Sequence, residues 1–204
     1  MSFRHATLFA SLLAAAVCPL VAHAGDAGTG TPRFSVVVGY AAAEPTKNLQ
    51  SIKVDGEGTP TLGATYNFDQ HWAVELWASQ PYGMRFKDKA NGEFLGNVDA
   101  QPLALSAQYH FRDADKILRP FVGLGYHETN YDFQTGLFVA PVGFETVKGA
   151  IVTAGLDITM SPRWFARFDA RYLEGSADVT VDDIKIERSK FEPVMVSVGL
   201  GARF

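Results

Sequence analysis

The sequence predicts an all-β chain folded as an eight-stranded antiparallel transmembrane β-barrel with short periplasmic turns and four longer extracellular loops. Three observations carry this expectation: a two-faced closing strand, an export-type amino terminus, and connections that alternate in length. At the carboxyl end, Val194, Val196, Val198, Leu200, Ala202 and Phe204 make one apolar row at a period of two. Met195, Ser197, Gly199, Gly201 and Arg203 make a small or polar one. Lipid takes the first row of such a strand and the lumen takes the second.

At the amino end, Arg4 and His5 precede an Ala/Leu-rich run from Ala6 to Ala22, and Ala22-His23-Ala24 fits a small-x-small cleavage site. Residues 1–24 therefore read as a removed signal peptide, and residues 25–204 as one barrel domain. The apolar run is too short and lacks the charged flank of a membrane-spanning helix. Cys18, the only cysteine, lies in the leader and lacks the flanking residues of a lipoprotein anchor, so the mature chain has no thiol chemistry and no disulfide. A mild and dispersed acidic balance argues against nucleic acid as a partner. No other apolar run would cross a bilayer as a helix, so a membrane form has to be a barrel.

Eight alternating segments follow in order: 33–42, 60–68, 72–82, 102–111, 120–131, 148–160, 163–174 and 191–204. Each reaches or approaches the roughly nine to eleven residues that a tilted strand needs to cross a bilayer. Short connections lie at Asp69–His71, Arg112–Arg119 and Ser161–Pro162. Long ones run over 43–59, 83–101, 132–147 and 175–190. Three short turns and four long loops place both termini in the periplasm. Trp72 and Trp164 each follow a short turn on the outward row, where an aromatic girdle would sit, with Phe111 and Phe204 beside them. Inward rows hold Thr61/Gly63/Thr65/Asn67, Glu75/Trp77/Ser79, Ser106/Gln108/His110, Gly123/Gly125, Thr153/Gly155/Asp157 and Arg167/Asp169/Arg171. A soluble lipocalin-type barrel would be apolar inside and polar outside. Polar-inside wins.

Leu62-Gly63-Ala64-Thr65-Tyr66, Val74-Glu75-Leu76-Trp77-Ala78 followed by Pro81, Arg119-Pro120-Phe121-Val122-Gly123-Leu124-Gly125 and the terminal Gly-x-Arg-Phe resemble the OmpW family of small outer-membrane proteins. The resemblance covers most of the mature chain in order and weakens in the third and fourth long loops. It implies passive uptake of small hydrophobic molecules through a narrow, partly apolar lumen and, in some members, lateral release into the membrane. Relatives of that kind include proteins associated with alkane uptake.

Eight strands leave an interior roughly filled by side chains, so an open aqueous pore is not expected. Inward Gly123 and Gly125 either leave gaps for a ligand or allow curvature and close packing. Trp77 either meets a hydrophobic ligand or fills the lumen. The resemblance implies apolar side chains at the lumenal positions of Trp77 and Arg171, whereas this chain places a large aromatic and a cation there. A stacked pair between them is the expected substitute, worth about 0.5–2 kcal/mol. Glu75, Asp157, Arg167, Asp169, Arg171 and Arg203 are expected to pair in a network closing the periplasmic half, since unpaired charges inside a barrel are costly. Such a network serves as a plug or, less readily, as an ion path. Pro81 and Pro102 flank the second long loop, where two missing donors either open a lateral seam or punctuate a loop. The third long loop is unusually apolar, with Phe133 and Phe138 among its candidates for ligand capture. The fourth reads as a hairpin extending the last two strands.

Catalysis is not expected. Ser106 and His110 share a face with Glu75 nearby, yet four residues of strand separate the first two by about 13 Å, beyond proton-transfer reach. Three mature histidines at no metal-ligand spacing and no phosphate-binding loop point to no cofactor. The partners anticipated are outer-membrane lipid and lipopolysaccharide, a small hydrophobic substrate, and the barrel-assembly machinery, which would read the closing strand and Phe204. The competing expectation is a structural or surface-interaction barrel with a filled lumen.

Overall fold

The computed structural model describes residues 32–204 apart from 46–51, 89, 91, 93, 137–141, 145 and 182–183, and gives only the backbone of 44–45, 52–55, 86, 95, 133–136, 142–144, 176–181 and 184–191. Residues 1–24, expected above to be a removed leader, and Phe138 thus lie outside the described residues.

Among the described residues twelve strands run in order: β1 Phe34–Pro45, β2 Ile52–Gly56, β3 Gly58–Asn67, β4 Trp72–Ser79, β5 Tyr82–Asp88, β6 Phe94–His110, β7 Leu118–Gly136, β8 Val142–Phe144, β9 Val147–Thr159, β10 Trp164–Val181, β11 Ile184–Phe191 and β12 Pro193–Arg203. Eight of them close a ring of antiparallel pairs, β1–β3–β4–β6–β7–β9–β10–β12, and β12 returns to β1 from Ser35↔Arg203 to Pro45↔Pro193. The last bonds of that closure join Phe204 to Phe34 in both directions, N–H to carbonyl, at 2.8 and 3.3 Å.

The remaining four strands correct the expected loops. β2 pairs with β5, β5 with β6, and β8 and β11 with β10, so the sheet continues well past the barrel wall at the loop end. The segments read as long loops over 43–59 and 83–101 are largely strand. Pro81 and Pro102 interrupt the alternation there, which hides the continuation from periodicity. The hairpin expected after the seventh barrel strand is present, with Gly175–Val181 facing Ile184–Phe191.

At the turn end, side chains near the start of each tight connection hold the next strand. Asp69 Oδ1 accepts from the backbone N–H of His71 and of Trp72, both at 2.7 Å, while Phe68 N–H donates to the Trp72 carbonyl. Ser161 Oγ accepts from Trp164 N–H at 3.1 Å in the same relation. A short acceptor three residues before a strand-opening Trp is a local turn signal, and it sets both indoles on the outer rim. The seven-residue connection between β6 and β7 is tied by Arg119, which donates to the carbonyls of Arg112 (3.1 Å) and Gln70 (2.7 Å).

Burial is inverted relative to a soluble barrel. Leu105 and Leu124 are 55% and 64% exposed, while Glu75 and Asp157 are 0% and 1% exposed. Water solvates such an apolar wall poorly and hydrocarbon suits it.

Candidate functional site: the lumen

β4 and β10 lie four strands apart in a ring of eight, so their inward side chains face one another across the lumen. On β10, Arg167, Asp169 and Arg171 follow each other at every second residue and all point inward. Register decides their near partners. Arg167 sits directly across from Asp157 on β9 and Asp169 directly across from Ser197 on β12. Arg167 grips Asp157 with two parallel bonds (Nε to Oδ1 2.7 Å, Nη2 to Oδ2 2.9 Å), and Ser197 Oγ donates to Asp169 Oδ2 at 2.7 Å.

The far partner is Glu75 on β4. Its Oε1 accepts from Arg167 Nη1 at 2.7 Å and its Oε2 from Arg171 Nη1 at 2.8 Å, while Arg171 Nε holds Asp169 Oδ1 at 2.8 Å. The resulting chain of alternating charge, Asp157–Arg167–Glu75–Arg171–Asp169, is a strut across the barrel, with every member at most 6% exposed. Arginine suits this place because one planar fork serves two carboxylates at once. Aromatic faces complete the packing: Arg167 lies 4.5 Å from the Phe121 ring centre, and Arg171 lies 4.5 Å over Trp77.

Arg203 departs from the expected network. It stacks on Phe165 at 4.5 Å and donates to Thr159 Oγ1 (3.1 Å) and the Ala114 carbonyl (3.4 Å), with no carboxylate in pairing range among the described residues. Facing inward does not fix height, and position 203 lies at the turn end, below the carboxylates. The glycines depart as well from a simple picture of gaps. A Cβ at Gly125 would strike the backbone of Leu105 and Ser106, and one at Gly155 would strike the Phe121 ring. At Gly123 the neighbours Ala107, Gln108 and Thr153 stand at 3.3–3.4 Å from that position. These residues let strands and rings come close. Phe121 and Phe165 share the two-residue period of the inward rows but are not among the lumenal residues named from the sequence, and Phe165 in turn rests on Gly201.

Towards the loop end the lining changes character. Ala41, Tyr82, Ala100, Ile151, Leu173 and Met195 form a buried apolar cluster that includes Trp77, with Tyr131 against it. Trp77 is thus the floor of an apolar layer and, through Arg171, the ceiling of a charged one. Voids among the described lumen residues are small: one of about 10 Å³ beside Glu75, Trp77 and Gly199, and one of about 10 Å³ at the turn end beside His110 and Arg203. No group of three His, Cys, Asp or Glu among the described residues is placed to hold a metal.

Pro81 and Pro102 sit at a break in the wall. β4 pairs with β6 as far as Ala78↔Leu103, and β5 resumes at Tyr82↔Ala100. Three residues, Ser79–Pro81, therefore oppose two, Gln101 and Pro102, which is a bulge in which both prolines lack a donor. Gln80 N–H is held by the Pro60 carbonyl on the other side, so β3 keeps its register across the same point. The backbone of Phe133 pairs with Val98 in the β6–β7 extension.

The OmpW family model matches residues 34–204, essentially the whole described barrel. Outer membrane protein W of Salmonella typhi is 27% identical over 156 residues, which is 69% of this chain and 72% of that protein. Among solved structures, the outer membrane protein OprG from Pseudomonas aeruginosa superposes with a TM-score of 0.68 at 18% identity, covering 87% of this chain and 98% of its own. The outer membrane protein AlkL superposes at 0.65 and 20%, covering 89% and 94%. At those identities the structural likeness is one of fold.

Proposed function

Because the chain belongs to the OmpW family of outer-membrane barrels, we propose that it conducts small hydrophobic molecules passively into the outer membrane. The route enters at the loop end, follows the apolar layer down to Trp77 and leaves sideways at the Pro81/Pro102 bulge. One observation carries the reading: the wall break and the apolar layer coincide. Tyr82 and Ala100, members of the apolar cluster, are the first pair beyond the bulge, and Pro102 is itself buried. A guest reaching Trp77 meets the Glu75–Arg171 strut below, where an apolar molecule gains nothing by entering, whereas the bulge beside it has fewer ladder bonds to break. Gly123 and Gly125, on β7 opposite Gln108 and Ser106 of β6, lie on the turn-end side of this route and serve packing. Phe133 and Phe138 belong to loop-end capture in this scheme. Residues 1–24 act as the export leader and are removed, and Phe204 presents the closing strand for assembly into a membrane of lipid and lipopolysaccharide.

The test is uptake of a medium-chain alkane by cells deleted for their own homologue and expressing the wild type or Pro81→Ala/Pro102→Ala at equal barrel levels. Uptake above empty vector that falls several-fold in the double variant is the expected result. Equal uptake by both proteins would retain conduction and remove the lateral exit. Uptake no better than empty vector for several apolar tracers would favour a filled structural barrel, a reading that draws on Trp77 being 3% exposed.

A further inference from the structure

The turn-end half of the lumen holds more cation than anion. Among the described residues, four buried arginines (119, 167, 171 and 203) face three buried carboxylates (75, 157 and 169). The strut consumes all three carboxylates on Arg167 and Arg171. Among the described residues Arg119 and Arg203 hydrogen-bond to carbonyl and hydroxyl acceptors alone. Asp113, on the turn, is half exposed and stands 3.7 Å from His71 Nε2.

Beside these two arginines is the void of about 10 Å³, lined by Thr65, Asn67, His110, Arg119, Asp157 and Arg203 among others. Among the described residues several of its buried polar atoms make no hydrogen bond, namely Arg203 Nη2, the two ring nitrogens of His110, Thr65 Oγ1 and Asn67 Oδ1, and His110 Nε2 stands 3.8 Å from Asp157 Oδ2. Arg203 is 6% exposed and His110 1%. A buried guanidinium N–H without an acceptor costs free energy that a guest would recover, and donors converging on surplus positive charge select an anion over water. The void is close to the size of one water, which suits a monatomic guest better than phosphate or a carboxylic acid.

We infer that this pocket binds a single halide-sized monovalent anion, chloride under ordinary conditions, held by Arg203 with Thr65 and His110 and balancing the one surplus charge of the lumen. It lies at the opposite end of the barrel from the apolar route, and neither depends on the other.

Crystals of the refolded full-length barrel grown in sodium bromide, with data collected at the bromine edge, test the inference directly. An anomalous peak within hydrogen-bond reach of Arg203 Nη2 is expected. In solution, replacing gluconate by bromide at constant sodium should raise the unfolding temperature with saturation in the wild type and leave Arg203→Gln unchanged. A water or an empty pocket in the wild-type map, with bromide only on the outer surface, overturns the proposal, and that map decides even if the variant fails to refold. A bromide-dependent rise of equal size in a folded Arg203→Gln also overturns the assignment to this site.

Discussion

Glu75 is the one side chain that both arginines of the strut share, and its carboxylate is 0% exposed. Removing one partner from a buried charge group costs about 3–5 kcal/mol, because the other charges stay buried and short of an acceptor. Losing the Arg171–Trp77 stack costs about 0.5–2 kcal/mol. The ion pairs therefore dominate over the stack. Glu75→Ala should lower the urea midpoint of the refolded barrel by the equivalent of about 3–5 kcal/mol; an unchanged midpoint would mean that the strut contributes little to stability. The residue scale is also where sequence reading was weakest. That Glu75, Arg167 and Arg171 face inward follows from alternation alone. That they meet requires ring closure, which brings together residues 92 and 96 positions apart. Arg203 shows the same gap from the other side: its face was legible and its height was not.

At the scale of elements, the tight turns are the best-encoded parts of the chain. Asp69 and Ser161 each stand three residues before a tryptophan and accept its N–H. The two donated backbone N–H groups hold the Asp69 carboxyl below its ordinary value. A carboxylate with a depressed folded value lends stability that is present above its unfolded value and lost as pH falls through the folded one. Asp69→Asn should thus unfold faster than the wild type at neutral pH, with the difference shrinking below about pH 4, as stopped-flow dilution into denaturant would record. The strand extensions were not legible, for the opposite reason. Pro81 and Pro102 break the two-residue period where the sheet bulges, so β5 and the first half of β6 look like loop although both are paired. The fourth loop's hairpin was visible because its apolar residues alternate without a proline.

For the whole molecule, the sign of the burial pattern is the decisive property. The outer wall is apolar and exposed, and the lumen is charged and sealed. An arginine placed on the outer face near mid-wall costs on the order of 2–4 kcal/mol in a bilayer, and a water-soluble barrel would tolerate it freely. Leu124→Arg, on the outer face of β7, should therefore lower the stability of the barrel in lipid vesicles by that order and reduce the folded fraction on a gel run without boiling. An unchanged folded fraction would contradict lipid contact at that strand. The family and the barrel were legible from alternation and from a few short motifs because lipid imposes a rule on every strand at once. The division of the lumen into an apolar layer and a charged one was not, since Ile151, Leu173 and Met195 sit on rows whose other members, Phe165 apart, are small, polar or charged.

The strut also constrains the birth of the molecule. Glu75 emerges early in the chain and its two cations more than ninety residues later. A half-built sheet ending at β7 would carry a bare carboxylate on the concave side with nothing to neutralise it, and hydrocarbon would penalise that species. Partial insertion is accordingly a poor resting place: β1 to β7 have to wait outside the hydrocarbon, or under a protective surface, until β10 arrives. The charged cross-beam thereby acts as a proofreading step on closure, rewarding the completed cylinder and no fragment of it.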